Sequence, residues 1–261
     1  MLLSVTTASV LRRDLLREGS GTLARLVGGA TRLVAFSPDG VFLAGSAGDD
    51  GVQIWRIGEI WNEGAHQPWQ TVRNTGRLHN LSFSPDSQIL ALVCESGIRL
   101  WQRVDPQAVR AELVVADPNA QRAAVDPHGT CIAWSDALGR LLLSNVSNGQ
   151  LVQTISSGGP AIHALCFAPD GNRLLAGRRD GRVEIWSLNE TGGAASRDER
   201  RRNRSTRITN LNELSAGLRR APRLTTTLEA HAGAIEQIVF HPSGEAFVTV
   251  SSDGTARLWR A

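Results

Sequence analysis

The sequence predicts an all-β fold built from repeated, four-stranded antiparallel units. Three observations predict it: a recurring turn phrase, a constant distance from that phrase to a Trp-ending strand, and short apolar runs punctuated by turn residues. The phrase reads AFSPDG at 35–40, SFSPDS at 82–87, CFAPDG at 166–171 and VFHPSG at 239–244, with a weaker copy, AVDPHG, at 124–129. Repeats of this period mark solenoids, propellers or arrays and take precedence over local signals.

The spacing justifies the units one by one. Phe36 to Trp55 is 19 residues, Phe83 to Trp101 is 18, and Phe167 to Trp186 and Phe240 to Trp259 are 19 each. In the weak copy, Val125 to Ser144 is also 19, with LLLS where the others read VQIW, IRLW, VEIW and ARLW. Successive anchors lie 47, 42, 42 and 73 residues apart, so the last step is a normal repeat carrying an insertion. Pro-Asp, Asp-Gly and Gly-rich turns bound apolar runs that alternate, which is strand-turn-strand chemistry. A fourth strand follows each Trp, at 69–73, 112–116, 150–155 and 224–228. The expected blade cores are 31–73, 77–116, 120–155, 161–228 and 234–261, the last together with 22–27.

This pattern resembles the WD-repeat family over about residues 22–261. The resemblance implies a β-propeller, with blades set radially around a central channel. It also implies a structural hydrogen-bond network in the last copy, formed by His231, Asp253 and Trp259 with Thr249 or Ser251 as hydroxyl partner. Asp49 and Asp180 keep the turn acid, while Val27, Asn74 and Gly158 stand where the family has His. No Trp is followed by Asp.

The last copy ends after its Trp strand, and a spare strand, TLARLV at 22–27, precedes the first copy. We expect that strand to pair with the final Trp strand and to close a five-bladed ring, hiding both edges. The alternatives are an incomplete piece of a longer propeller and a C-terminal region without its upstream domain. Residues 1–20 form an N-terminal extension, read either as a short amphipathic helix or as the worn strand of a preceding blade.

The 261 residues are enough for one large domain. All 28 basic residues are Arg, Tyr is absent, and the net charge is only +3. This composition reflects genome bias. It permits acidic partners but is too balanced to argue for nucleic acid. Cys94, Cys131 and Cys166 are odd in number and lack metal spacing, so they read as buried apolar residues. No apolar run is long enough to span a bilayer, and the mildly apolar start lacks a signal peptide's basic region. A cytoplasmic location is the expectation.

No nucleophile elbow, zinc-binding helix or phosphate loop occurs. Asp39, Asp86, Asp126 and Asp170 accompany Pro in turns, where their side chains have local work. The expectation is a non-catalytic protein or peptide scaffold without cofactor or metal. A hydrolase or lyase with a channel site, and an Arg-rich nucleic-acid-associated subunit, are the alternatives.

Partner contacts are expected in two places. Connections 57–68 and 189–223 both follow a Trp strand and therefore leave the same face. The first carries Trp61, while the second carries Arg200, Arg201, Arg202 and Arg204 in SRDERRRNRSTR. Too polar to bury a core, the second suits an acidic partner. The opposite face should present Arg77, Arg178 and Arg179, a locally basic patch for acidic peptides.

Overall fold

A computed structural model describes residues 2–6, 9–13, 22–26, 32–48, 51–60, 67–73, 75–103, 112–188 and 222–261, the first three segments as backbone only. The fold is an all-β propeller, and each of the five repeats forms its own antiparallel sheet. The chain divides into two compact units, Met1–Ala123 and Ala124–Ala261.

The first unit opens with β1 (Leu2–Thr6), β2 (Ser9–Arg13) and β3 (Thr22–Leu26), a three-stranded meander. Blade 1 follows as β4 (Val34–Phe36), β5 (Phe42–Ser46), β6 (Gly51–Arg56), the one-turn helix α1 (Ile57–Ile60) and β7 (Gln70–Arg73). Blade 2 is β8 (Leu78–Phe83), β9 (Ile89–Cys94), β10 (Gly97–Gln102) and β11 (Glu112–Val115). Each blade pairs its strands in chain order.

Blade 3 comprises β12 (Ala120–Val125), which runs across the unit boundary, β13 (Cys131–Asp136), β14 (Leu141–Asn145) and β15 (Leu151–Ser156). Blade 4 is β16 (Ile162–Phe167), β17 (Arg173–Arg178), β18 (Arg182–Ser187) and β19 (Arg223–Glu229). Blade 5 has three strands, β20 (Ile235–Phe240), β21 (Ala246–Ser251) and β22 (Ala256–Arg260). The segment 22–27 was expected to pair with this last strand. Its strand instead pairs with β2, Val10 opposite Leu26 and Leu11 opposite Arg25. Sequence-local antiparallel pairing needs only a short loop, which favours the meander over a partner at the far end of the chain.

The turn phrase builds the same corner five times. Ser37, Ser84, Asp126, Ala168 and His241 each donate the backbone N–H to the carbonyl five residues on. Their own carbonyls accept from the N–H three residues on, at Gly40, Ser87, Gly129, Gly171 and Gly244. Those fourth positions have φ between 63° and 74°, the left-handed region that glycine enters without strain. Ser87 is the exception, and its hydroxyl is used: the Asp39 N–H donates to Ser87 Oγ at 3.0 Å, tying the blade 1 corner to the blade 2 corner.

Apolar faces between neighbouring blades make the core. In the first unit, Phe42, Trp69 and Trp101 cluster with ring centroids 5.2–6.2 Å apart. Trp69 thus packs between blades, and the Arg56 guanidinium lies over its ring at 4.3 Å. In the second unit, Ala124, Ala133, Leu141 and Leu143 of blade 3 pack against Ile162, Phe167 and Leu174 of blade 4. Leu175 and Val183 of blade 4 pack against Ile235, Ile238 and Phe247 of blade 5. Each fully buried Leu, Ile, Val or Phe among them contributes about 1.5–3 kcal/mol.

Candidate functional site

The Trp that ends the third strand of a blade carries one polar atom into an apolar interface, and its indole N–H needs an acceptor there. In blade 5 the acceptor is Thr249, the diagonal neighbour of Trp259 on the adjacent strand β21. Trp259 Nε1 donates to Thr249 Oγ1 at 2.9 Å, and Thr249 Oγ1 lies 2.8 Å from His231 Nε2. His231 Nδ1 is 3.1 Å from Asp253 Oδ2 and 2.9 Å from Thr255 Oγ1. A carboxylate only accepts, so Nδ1 carries the imidazole proton and Nε2 accepts from Thr249. The chain of donors runs Trp259, Thr249, His231, Asp253.

Thr249 is fully buried and His231 nearly so. Hydrogen bonds from the Thr255 hydroxyl, outweighing desolvation, hold Asp253 far below the ordinary carboxylate range, helped by the Thr255 and Ala232 N–H groups and His231. Of the two expected hydroxyl partners, Thr249 faces the imidazole. Ser251 Oγ instead accepts the Asp253 N–H at 3.1 Å. Thr255 belongs to the network too, and its position two residues after Asp253 on a tight turn was the signal for it.

Blades 2, 3 and 4 secure their Trp differently, whereas the Trp55 indole N–H of blade 1 is buried without a hydrogen-bond partner among the described residues. In blade 4 the hydroxyl position is Ala176, and Trp186 Nε1 donates to Glu184 Oε2 at 3.1 Å. Glu184 is held in turn by Arg178, at 2.6 and 3.0 Å. Blade 3 exchanges the two residue types. Trp134 occupies the hydroxyl position, Ser144 occupies the Trp position, and Trp134 Nε1 donates to Ser144 Oγ at 3.0 Å. The copy that reads as worn therefore keeps the bond with its ends reversed. In blade 2, Trp101 Nε1 donates to Gln70 Oε1 of blade 1 at 2.8 Å.

Arg178 corrects the expected basic patch. Its side chain is 3% exposed, and besides Glu184 it donates to the Pro160 carbonyl at 2.7 Å and the Gly139 carbonyl at 3.3 Å. Ser156 Oγ takes a further bond at 3.3 Å. At Gly159, with φ 143°, a Cβ would come within 3.1 Å of the Arg178 guanidinium and crowd it. An Arg with its donors spent on a buried carboxylate and carbonyls is blade mortar and has none left for a partner. Arg77 and Arg179 are exposed, Arg77 just before β8 in the first unit and Arg179 just after β17 in the second. Trp61, Asp49, Arg200, Arg201, Arg202 and Arg204 lie outside the described residues.

The turn acids are likewise engaged. Asp39 accepts from Ser37 Oγ and the Val41 N–H. Burial opposes its charge, yet those bonds and Arg103 keep its carboxyl below the ordinary value. Asp126 accepts the Thr130 and Cys131 N–H groups at 2.6 and 2.7 Å, and Asp170 the Asn172 N–H at 2.9 Å. The three cysteines are unpaired. Burial pushes the Cys166 thiol up to about 11 and Cys131 well above its usual value, so both stay protonated. No group of three or more His, Cys, Asp or Glu among the described residues could hold a metal ion. No helix among them is long and apolar enough to cross a membrane.

Known proteins share this pattern. The WD domain, G-beta repeat, matches residues 30–56, 149–187 and 222–260. The chain is 25% identical over 204 residues to telomerase protein component 1 of Mus musculus, which covers 77% of this chain and 6% of that protein. It is 26% identical over 168 residues to telomerase Cajal body protein 1 of Homo sapiens, 59% of this chain and 30% of that one. The chain thus spans a small part of the relatives it matches. The crystal structure of the Myceliophteria thermophila Cps50 (Swd1) β-propeller domain superposes with a TM-score of 0.61 at 18% identity. That superposition covers 88% of this chain and 65% of that one, and it shows a shared fold.

Proposed function

The chain is a WD-repeat β-propeller, and from that premise we propose that it is a non-catalytic platform for protein or peptide partners. The observation that carries this reading is where its polar side chains go. Asp39, Asp126, Glu184, His231 and Asp253 are spent on corners and blade interfaces. Acids and imidazoles consumed in this way hold a surface steady instead of meeting a substrate. The fold by itself hosts many functions, so the reading rests on this use of residues together with the kinship.

Exposed Arg77 in the first unit, exposed Arg179 in the second and, separately, the Arg-rich segment 196–207 are contacts we assign to acidic partners, each taken by itself. Three free thiols support a reducing, cytoplasmic setting. The test is affinity capture from the native cell with mass spectrometry, comparing the intact chain with one lacking residues 190–222. Defined partners, reproducibly enriched over a control propeller, are expected, with acidic ones reduced by the deletion. Recovery of nothing above the control overturns the platform reading, and turnover by the purified chain of a captured small molecule replaces it.

A further inference from the structure

The first strand of several blades carries a bulge at one repeated position, four residues before the aromatic anchor. In blade 2 the register shifts between Leu78 and Asn80, leaving His79 as the extra residue. In blade 4 it shifts between Ile162 and Ala164, at His163. In blade 5 it shifts between Ile235 and Gln237, at Glu236. A bulge interrupts the ladder and re-aims the extra side chain away from the alternating faces of the sheet. In all three blades that side chain is ionisable, although the strands around it are largely apolar.

Within the second unit, two of these bulges are neighbours. β16 and β20 lie side by side, and His163 Nδ1 is 4.0 Å from Glu236 Oε1. The carboxylate side chain is 51% exposed and the imidazole 30%. At that separation the two do not hydrogen-bond directly. Glu236 differs from the acids already described. Asp126, Asp170 and Asp180 accept backbone N–H groups in turns, and Glu184 is locked to Arg178. Glu229 meets Arg182. Glu236 closes no turn, yet the backbone departs from regular pairing to present it beside an imidazole.

We propose that Glu236 and His163 receive a basic side chain, Arg or Lys, of a bound peptide, a site that rests on the platform reading. The carboxylate accepts the charged N–H groups, in bidentate fashion from a guanidinium, and the imidazole edge and face line the other side. His163 thereby positions the incoming cation against Glu236 and limits its approach. The pair selects for positive charge at this point, a preference opposite to the one Arg179 confers.

The experiment probes the full chain with an array of short random peptides, then titrates the strongest binder by fluorescence anisotropy. Bound sequences are expected to be enriched in Arg and Lys. Glu236→Gln should weaken the strongest binder roughly tenfold, and replacing the peptide's basic residue with norleucine should cost about the same. The two changes together should cost little more than either alone, as a double-mutant cycle requires of a direct pair. Glu236 is exposed, so both proteins should melt alike. Full-strength binding by Glu236→Gln, or a bound set without basic enrichment, overturns the site while leaving the platform reading standing. Failure of every peptide, alongside failure of cellular capture, removes both.

Discussion

Blades 4 and 5 sit side by side in the second unit, share the turn phrase and six-residue first and second strands, and satisfy the same indole N–H by opposite means. Blade 5 uses a relay of hydroxyl, imidazole and carboxylate, contained almost wholly within the blade and its leading loop. Blade 4 uses an ion pair whose Arg178 reaches across to the Gly139 and Pro160 carbonyls of the blade 3 region. The first device braces one blade internally, whereas the second also bolts two blades together. A charge buried at an interface is costly to orphan, so blade 4 should be the less forgiving of the two.

Removing Arg178 tests that contrast most directly. Arg178→Met should destabilise the protein by about 3–5 kcal/mol, because Glu184 is left charged and nearly buried. Adding Glu184→Met should recover part of that loss, as read from urea denaturation midpoints, the remainder reflecting the Trp186 N–H that loses its acceptor. Equal cost for the single and double variants would mean that packing, and not charge, holds the interface.

The matching change in blade 5 should cost less. Thr249→Val keeps shape but strands the Trp259 N–H and His231 Nε2, at about 2 kcal/mol. A smaller effect is expected in blade 3, where Trp134→Thr and Ser144→Trp would restore the order seen in blade 5. Each single change should destabilise, and the pair should be better than the sum of the singles by about 1 kcal/mol.

The smallest effect concerns acid. The Asp253 pKa is depressed in the folded protein. Its contribution is therefore complete above the unfolded carboxylate value, about 4, and is lost as pH falls through the folded one. Asp253→Asn should lower the melting temperature at neutral pH and flatten the decline below about pH 4. A variant that declines as steeply as the parent would place the acid sensitivity elsewhere, with Asp39 of the first unit the next candidate.

Much of this was legible in advance. The five corners follow from Pro-Asp-Gly phrases whose fourth residue must accept positive φ. The His231, Asp253 and Trp259 network followed from family resemblance, and the choice of Thr249 over Ser251 required knowing which side of β21 faces the imidazole. Arg178 was misjudged because its neighbour Arg179 really is exposed, and adjacent residues of a strand end point opposite ways. Ser144 looked like a lost Trp until its neighbour across the sheet proved to be one. The final strand's partner could not be read from TLARLV, since any apolar strand can pair with several edges.

The sequence alone determined the repeat and the corner chemistry. These depend on residues close along the chain, where spacing and turn preference act directly. Only the tertiary structure decided which polar groups meet across a sheet or between blades. Glu184 meeting both Trp186 and Arg178, Trp134 meeting Ser144, and His163 standing beside Glu236 all arise from strand register and bulges. One residue of slip in either would turn those side chains to another face.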